Sequence, residues 1–306
     1  MSKIVILGVF VADTAYRAER QPRMGETLLG QSFALGPGGK GSNQAVAAAM
    51  AGGGVHFLTR LGRDPFADIA RATWAMAGVV PEVIEDAESY TGAAFIFVEA
   101  ATGDNAIIIA PGAGGRISVA DIEARAALIG GAAVFVTQLE QPMDAAHRAL
   151  AIARAGGART ILNPAPAAAL PEGMPGLCDF VTPNESEAEG LTGIAVSGPD
   201  DARRAAEALR AQGAGAVVVT LGALGALYHD GGRSVHVPAV AAGPVVETTG
   251  AGDAFNGAFA VALAEGADPV DAVRFGCAAA GISVTRPGTA PSMPARSEID
   301  ALLPQR

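Results

Sequence analysis

Short apolar runs rich in Val and Ile alternate along this chain with stretches of helical periodicity, and that alternation limits the fold more than any other feature. Extended runs fall at 3–8, 55–60, 133–137, 160–162, 180–182 and 217–220. Helical patterns fall at 45–51, 144–155, 200–212 and 253–265. Two more helices start at Asp-Pro pairs: one runs from Asp64-Pro65 to Met76 ahead of Gly78, the other from Asp268-Pro269 to about Thr285. Proline suits a first helical position because the N–H it lacks has no partner to lose there. Runs that are apolar on both faces and separated by helices predict an α/β fold, a largely parallel central sheet with helices on both faces. The runs 225–229 and 235–237 read as a further, antiparallel pair.

Two regions break this rhythm. Residues 14–35 are more polar, are interrupted by Pro22 and Gly25, and carry no helical stripe. The runs 91–99 and 106–110 flank the turn-like Thr102-Gly103-Asp104-Asn105, a hairpin pattern. Together they predict a small β-rich lid, discontinuous in sequence and formed by about 14–37 and 90–110, on a single domain spanning 1–306.

Apolar residues make up 50% of the chain and charged residues 17%, enough to fill a large core and too apolar for disorder. The net charge of -10 argues against a broad nucleic-acid or anionic-membrane surface but permits a local phosphate pocket. Cys178 and Cys277, the only cysteines, form no metal or redox pattern. No apolar run approaches the roughly 18 residues of a membrane span. The expectation is a cytoplasmic protein without nucleic-acid or membrane partners.

In open α/β sheets ligands bind beyond the carboxyl ends of the strands, and polar residues recur at such places here. Asp13 lies just past the first run, although on its own it reads first as a solvated loop acid. Glu140 follows 134–136, Asn163 follows 161–162, Asn184 and Glu187 follow 180–182, and Thr220, Gly222 and Gly225 follow 217–219. Gly36-Pro37-Gly38-Gly39-Lys40-Gly41-Ser42-Asn43-Gln44 precedes the helix at 45–51. Its glycines satisfy G-x-G-x-x-G, but well after the first strand, and Lys40 is followed by Gly41 instead of Ser or Thr. It matches neither a dinucleotide fingerprint nor a Walker A loop. It is either a plain helix-entry turn or one that brings Lys40 and Asn43 to a polar ligand.

Thr248-Thr249-Gly250-Ala251-Gly252-Asp253 follows the extended Val245-Val246 and opens a helix. Unpaired N–H groups and the helix dipole favour an anion there, and the glycines let it approach. Asp253 can be the proton acceptor for a hydroxyl held opposite a phosphate, or simply an N-cap. The residues alone leave both readings open.

These features resemble the ribokinase-like (PfkB-type) carbohydrate kinases over essentially the whole chain. Gly38 to Ala45, with Gly52 and Gly62, is similar to the family's N-terminal signature, and Thr248 to Asp253 to its C-terminal one. Asp13, Gly39-Lys40-Gly41, Asn43, Gln138-Leu139-Glu140, Asn163-Pro164-Ala165-Pro166 and the segment from Thr182 to Glu189 are most similar to its ribose-phosphorylating members. The resemblance implies ATP-dependent phosphorylation of D-ribose at O5. Asp13, Gly39, Lys40, Asn43 and Glu140 would hold the sugar, Asp253 would be the base, and Gly250, Ala251 and Gly252 the anion hole. Thr220, Gly222, Gly225, Gly252, Cys277 and Asn184 would meet the nucleotide, with 276–280 beside adenine. Asn184 and Glu187 match an N-x-x-E element associated with Mg2+ through water. Glu247, Thr249, Arg286, Gly288 and Ser292 would form a monovalent-cation site for K+. A homodimer joined through the lid is also implied.

Two positions depart from the pattern. Glu247 stands where the signature usually begins with Asp, and the extra methylene puts potassium activation in doubt. Cys277 stands where relatives often carry His or Asn, and small apolar packing is the alternative role for it. Rival readings are a kinase of another sugar, a sugar acid or a nucleoside, a non-catalytic sugar or nucleotide sensor, and an NAD-binding domain.

Overall fold

Alternate residues of the first strand, β1 (Lys3–Leu7), feed two different cores: Ile4 and Ile6 enter one, Val5 and Leu7 the other, and all four are fully buried. A strand that is apolar on both sides must be covered on both. The computed structural model, which describes residues 2–303, shows how this is done.

The strands after β1 are β2 (Val11–Ala18), β3 (Ser32–Gly38), β4 (Gly54–Leu61), β5 (Val80–Glu85), β6 (Thr91–Glu99) and β7 (Asn105–Gly112). They continue with β8 (Val134–Thr137), β9 (Arg159–Leu162), β10 (Phe180–Val181), β11 (Ala216–Thr220), β12 (Ala226–His229) and β13 (Ser234–Val237). Nine of them form the main sheet in the order β13-β12-β11-β10-β9-β8-β1-β4-β5. It is parallel from β11 to β5, and only β12 runs against its neighbours, which is the antiparallel pair expected near residue 230.

Helices α1 (Lys40–Met50), α2 (Pro65–Ala77), α8 (Ala251–Ala264), α9 (Pro269–Ser283) and α10 (Arg296–Leu302) pack on the face that holds Ile4. Helices α3 (Val119–Glu123), α4 (Ala126–Gly130), α5 (Met143–Ala155), α6 (Glu185–Thr192) and α7 (Pro199–Ala211) pack on the face that holds Val5. No described helix is long and apolar enough to cross a membrane.

Local chemistry accounts for most boundaries. Asp64 caps α2 by accepting the Ala67 N–H at 3.0 Å, Pro65 follows at the first helical position, and Gly78 ends the helix in the left-handed region. The helix buries Trp74 completely, edge-on to Phe10 and Phe57, with its indole N–H donating to Ser42 Oγ at 2.9 Å. Burial of so large a ring contributes about 3 kcal/mol, and the hydrogen bond removes the cost of a stranded N–H.

The remaining strands form a second sheet in the order β3-β2-β6-β7, drawn from both regions that interrupt the alternation. Successive side chains of a strand face opposite ways. Asp13 therefore lies on one face of β2, while Tyr16 lies on the other beside Phe33 and Phe95, at ring distances of 5.0 and 5.6 Å.

Several expectations need correction. Asp13 belongs to β2 and is not in a loop after β1. Helix α1 starts at Lys40, so Gly41, Ser42, Asn43 and Gln44 are buried helical residues, a polar turn that hides the start from a hydrophobic pattern. Val245 and Val246 are not the end of a strand but an exposed loop, tied down where Val246 and Glu247 N–H donate to Val284 O at 2.8 and 3.2 Å. The pattern misses β5, a largely exposed edge strand, and α3 and α4, five residues each and too short to show a stripe.

Candidate active site

Helix α8 begins in a backbone conformation that side chains disfavour: its N-cap, Gly250, has φ 85°. Asp253 is the third helical residue. It is not the cap, so that alternative is overturned: the Asp253 carboxylate turns away from its own backbone and meets α1. Asn43 Nδ2 donates to Asp253 Oδ2 at 3.1 Å and Gln44 Nε2 to Asp253 Oδ1 at 3.0 Å. Asn256, one turn on, donates from Nδ2 to Gly252 O at 2.8 Å and accepts from Thr182 Oγ1 at 2.6 Å.

A cavity of about 140 Å³ opens beside Asp253, lined by Lys40, Asn163, Thr182, Asn184, Glu187, Thr220, Gly250, Gly252 and Asn256. Asn163, Thr182 and Thr220 stand at or just past the carboxyl ends of β9, β10 and β11, where an open parallel sheet places its ligands. Of the expected anion-hole residues, Gly250 and Gly252 line the cavity. The Ala251 N–H is already used, donating to Thr248 O at 3.2 Å.

Four carboxyl groups share this neighbourhood with one lysine. Burial raises Asp253 above the usual carboxylate range, against the opposing pull of Lys40, Gln44 and Asn43. Burial pushes Glu140 up to about 7, although Lys40 draws it down through its charge and its backbone N–H, which donates to Glu140 Oε2 at 2.8 Å. Asp13 rises to about 6, again through burial. Glu187 is also raised by burial, opposed by the Asn184 N–H and Lys40. Burial works against the charge of Lys40, but Asp253, Glu140 and Glu187 outweigh it and leave its pKa raised. The site is thus a partly desolvated cation among acids whose pKa values burial raises, a setting in which proton transfer is easily tuned.

Asn184 and Glu187 form a capping box at the start of α6: Asn184 Oδ1 accepts the Glu187 N–H at 2.8 Å, and Glu187 Oε2 accepts the Asn184 N–H at 2.9 Å. Both residues also line the cavity, beside Thr220, which bridges to Asn184. A lone carboxylate suits Mg2+ brought by a nucleotide, since that ion keeps several waters and needs few protein ligands.

Gly222 and Gly225 bracket a short 3-10 helix past β11 and do not line the cavity. Cys277 is not brought there either: it is buried in the core on α9, and burial pushes its thiol up to about 12. Of the expected cation-site residues, Glu247 Oε2 accepts the Gly288 N–H at 2.8 Å, Ser292 is fully buried with Oγ donating to Thr289 O, and Arg286 pairs with Glu298.

Gln44, Gln138 and Asn256, to which the motifs assign no individual role, build the surroundings of Asp253. Gln44 and Asn256 stand inside or beside the glycine motifs, and Gln138 directly follows β8, so their positions carried a signal.

A buried acid in the first turn of a glycine-opened helix, at the carboxyl edge of a parallel sheet and facing a lysine, defines an α/β enzyme that handles a hydroxyl and an anion together. The family model for pfkB family carbohydrate kinases matches residues 1–296, and the chain belongs to that family. It is 38% identical over 296 residues to the ribokinase of Haemophilus influenzae, covering 96% of each chain. It is 36% identical over 302 residues to the deoxyribokinase of Salmonella typhi, covering 98% of each. Among solved structures it is similar to Arabidopsis thaliana ribokinase complexed with ribose and ATP, with a TM-score of 0.91, 30% identity and 98% of each chain covered.

Proposed function

We propose that this carbohydrate kinase transfers the γ-phosphoryl group of ATP to the 5-hydroxyl of D-ribose. The observation that carries the reading is Asp253, buried at the start of α8 between two amide donors and beside cavity-lining Gly250 and Gly252. Similarity to ribokinases, including one solved with ribose and ATP, supports the choice of substrates.

In this reading Asp253 accepts the proton of the sugar's primary hydroxyl as that oxygen bonds to the γ-phosphorus and the bond to ADP breaks. The N–H groups of Gly250 and Gly252, with the positive end of α8, stabilise charge on the phosphoryl oxygens. Asp13, Glu140 and Asn43 accept hydroxyl hydrogens of the sugar, and Lys40, Gly39 and the Asn43 amide complete its shell. Glu187 and Asn184 would hold Mg2+, which would supply charge neutralisation at the phosphates. Thr220, Gly222 and Gly225 border the nucleotide, and Glu247, whose Oε2 accepts the Gly288 N–H, would hold a monovalent cation.

The whole chain acts as one catalytic unit, with the second sheet as its lid and the Asp13 face turned to the sugar. The opposite face exposes Tyr16, Phe33, Leu35 and Ile108, between 42% and 68%, and a second copy of the chain covers it in a homodimer. Two unpaired cysteines, both buried, support a reducing, cytoplasmic setting.

The comparable identity to a deoxyribokinase favours 2-deoxyribose as the second reading. ADP release with Mg2+ and ATP, measured for ribose, 2-deoxyribose, other sugars, sugar acids and nucleosides with and without K+, separates the two. Ribose selectivity supports the proposal, and a higher kcat/KM for any other acceptor overturns it.

A further inference from the structure

Gln44 lies in α1 with its side chain fully buried, and it reaches Asp253 without lining the cavity. Its amide has three polar neighbours. Gln44 Nε2 donates to Asp253 Oδ1 and to Asn163 Oδ1, each at 3.0 Å, and Gln44 Oε1 accepts from Gln138 Nε2 at 2.6 Å.

The direction of this chain is dictated from outside it. The carbonyl of Thr182 can only accept, so Asn163 gives it Nδ2, at 3.0 Å. Asn163 must then present Oδ1 to Gln44, and Gln44 must answer with its NH2. The second hydrogen of that NH2 is the one left for Asp253. Gln138 closes the other end by donating to Gln44 Oε1. Its own amide is seated by two glycines, since a Cβ on Gly8 would overlap Gln138 Oε1 and one on Gly41 would lie 2.9 Å from it. A flipped Gln44 would set a carbonyl oxygen against the carboxylate and against Asn163 Oδ1, two repulsions for two lost bonds.

We infer that Gln44 and Gln138 are positioning residues: Gln138, with Asn163, fixes the amide of Gln44 so that it always offers a donor to Asp253, keeping that carboxylate ionised and aimed. The inference deepens the reading of Asp253 as the base and rests on it. The charged groups around Asp253 are Lys40 on α1, Glu187 on α6 and Glu140 after β8, with Asp13 of β2 beyond Glu140. None of them is a partner of Gln44 or Gln138, so changing either glutamine leaves that charge pattern in place.

The test is the pH dependence of kcat and kcat/KM for Gln44→Met, Gln138→Met and the double variant, with Asp253→Asn alongside. Removing a donor from an ionised carboxylate raises its pKa. Gln44→Met should move the acid limb up by about one pH unit, giving a loss of roughly ten-fold on that limb that largely recovers at high pH. Gln138→Met should move it the same way by less, and adding it to Gln44→Met should produce no further shift. If Gln44→Met does not fold, Gln138→Met carries the test, because it leaves the Asp253 contact in place. A loss that is uniform across pH, or shifts that simply add, assigns the glutamines to packing and overturns the inference. Near-normal turnover of Asp253→Asn overturns the base itself, and the inference with it.

Discussion

The carboxylate of Glu140 accepts the backbone N–H of Lys40 at 2.8 Å, joining the segment after β8 to the first turn of α1. The bond does not offset the burial of Glu140, whose pKa stands at about 7, with Asp13 at about 6. Both values lie above those of an unfolded chain, so the native protein binds these protons more tightly. Their contribution to stability is full below about pH 4 and is lost as pH rises through about 6 for Asp13 and about 7 for Glu140.

Glu140→Gln should therefore raise Tm at pH 8 more than at pH 5, by the equivalent of on the order of 2 kcal/mol, while weakening sugar binding through loss of a carboxylate acceptor. Calorimetric melts of the sugar-free protein at the two pH values check this. An equal effect at both would show that Glu140 is not protonated in the native state near neutrality.

Asp253→Asn keeps the shape of the side chain and removes the base. Turnover should fall by at least about 100-fold, with sugar affinity by calorimetry changed only a few-fold. Parallel losses of binding and turnover would make Asp253 a sugar ligand first.

Asp64 caps α2 through one oxygen and accepts the Thr91 N–H through the other, at 2.7 Å, tying the first residue of β6 to the helix start. Asp64→Ala should cost about 1–2 kcal/mol in denaturant unfolding, and Asp64→Asn less. A cost near zero for alanine would place both N–H groups in water.

The exposed aromatic cluster of Tyr16, Phe33 and Phe95 is the face that a second copy of the chain is expected to cover. Light scattering should give a dimer, and Tyr16→Lys with Phe33→Lys a monomer. A monomeric parent protein at working concentration would remove the lid interface.

Much of the fold was legible because its signals are local. The strand runs, the Asp-Pro starts of α2 and α9, and Gly78 each act within a few residues, through side-chain alternation, a missing N–H or a permitted left-handed turn. The second sheet was also visible, as the two stretches that interrupt the alternation of strand and helix. The start of α1 was not, because Gly41 to Gln44 form a buried turn of small and polar residues that no apolar stripe marks.

By itself the sequence determined the layers, the order of strand and helix, and the glycine-opened turn at which Asp253 sits. Only the tertiary structure decided what Asp253 is. Its partner Gln44 lies 209 residues away along the chain, and Gln138 and Asn163 come from two further segments. A cap bonds its own turn and can be read locally, whereas an acid held by amides from α1 exists as such only after the sheet has brought α1 and α8 together. The same holds for its altered acidity, since desolvation depends on which distant residues exclude water from the site.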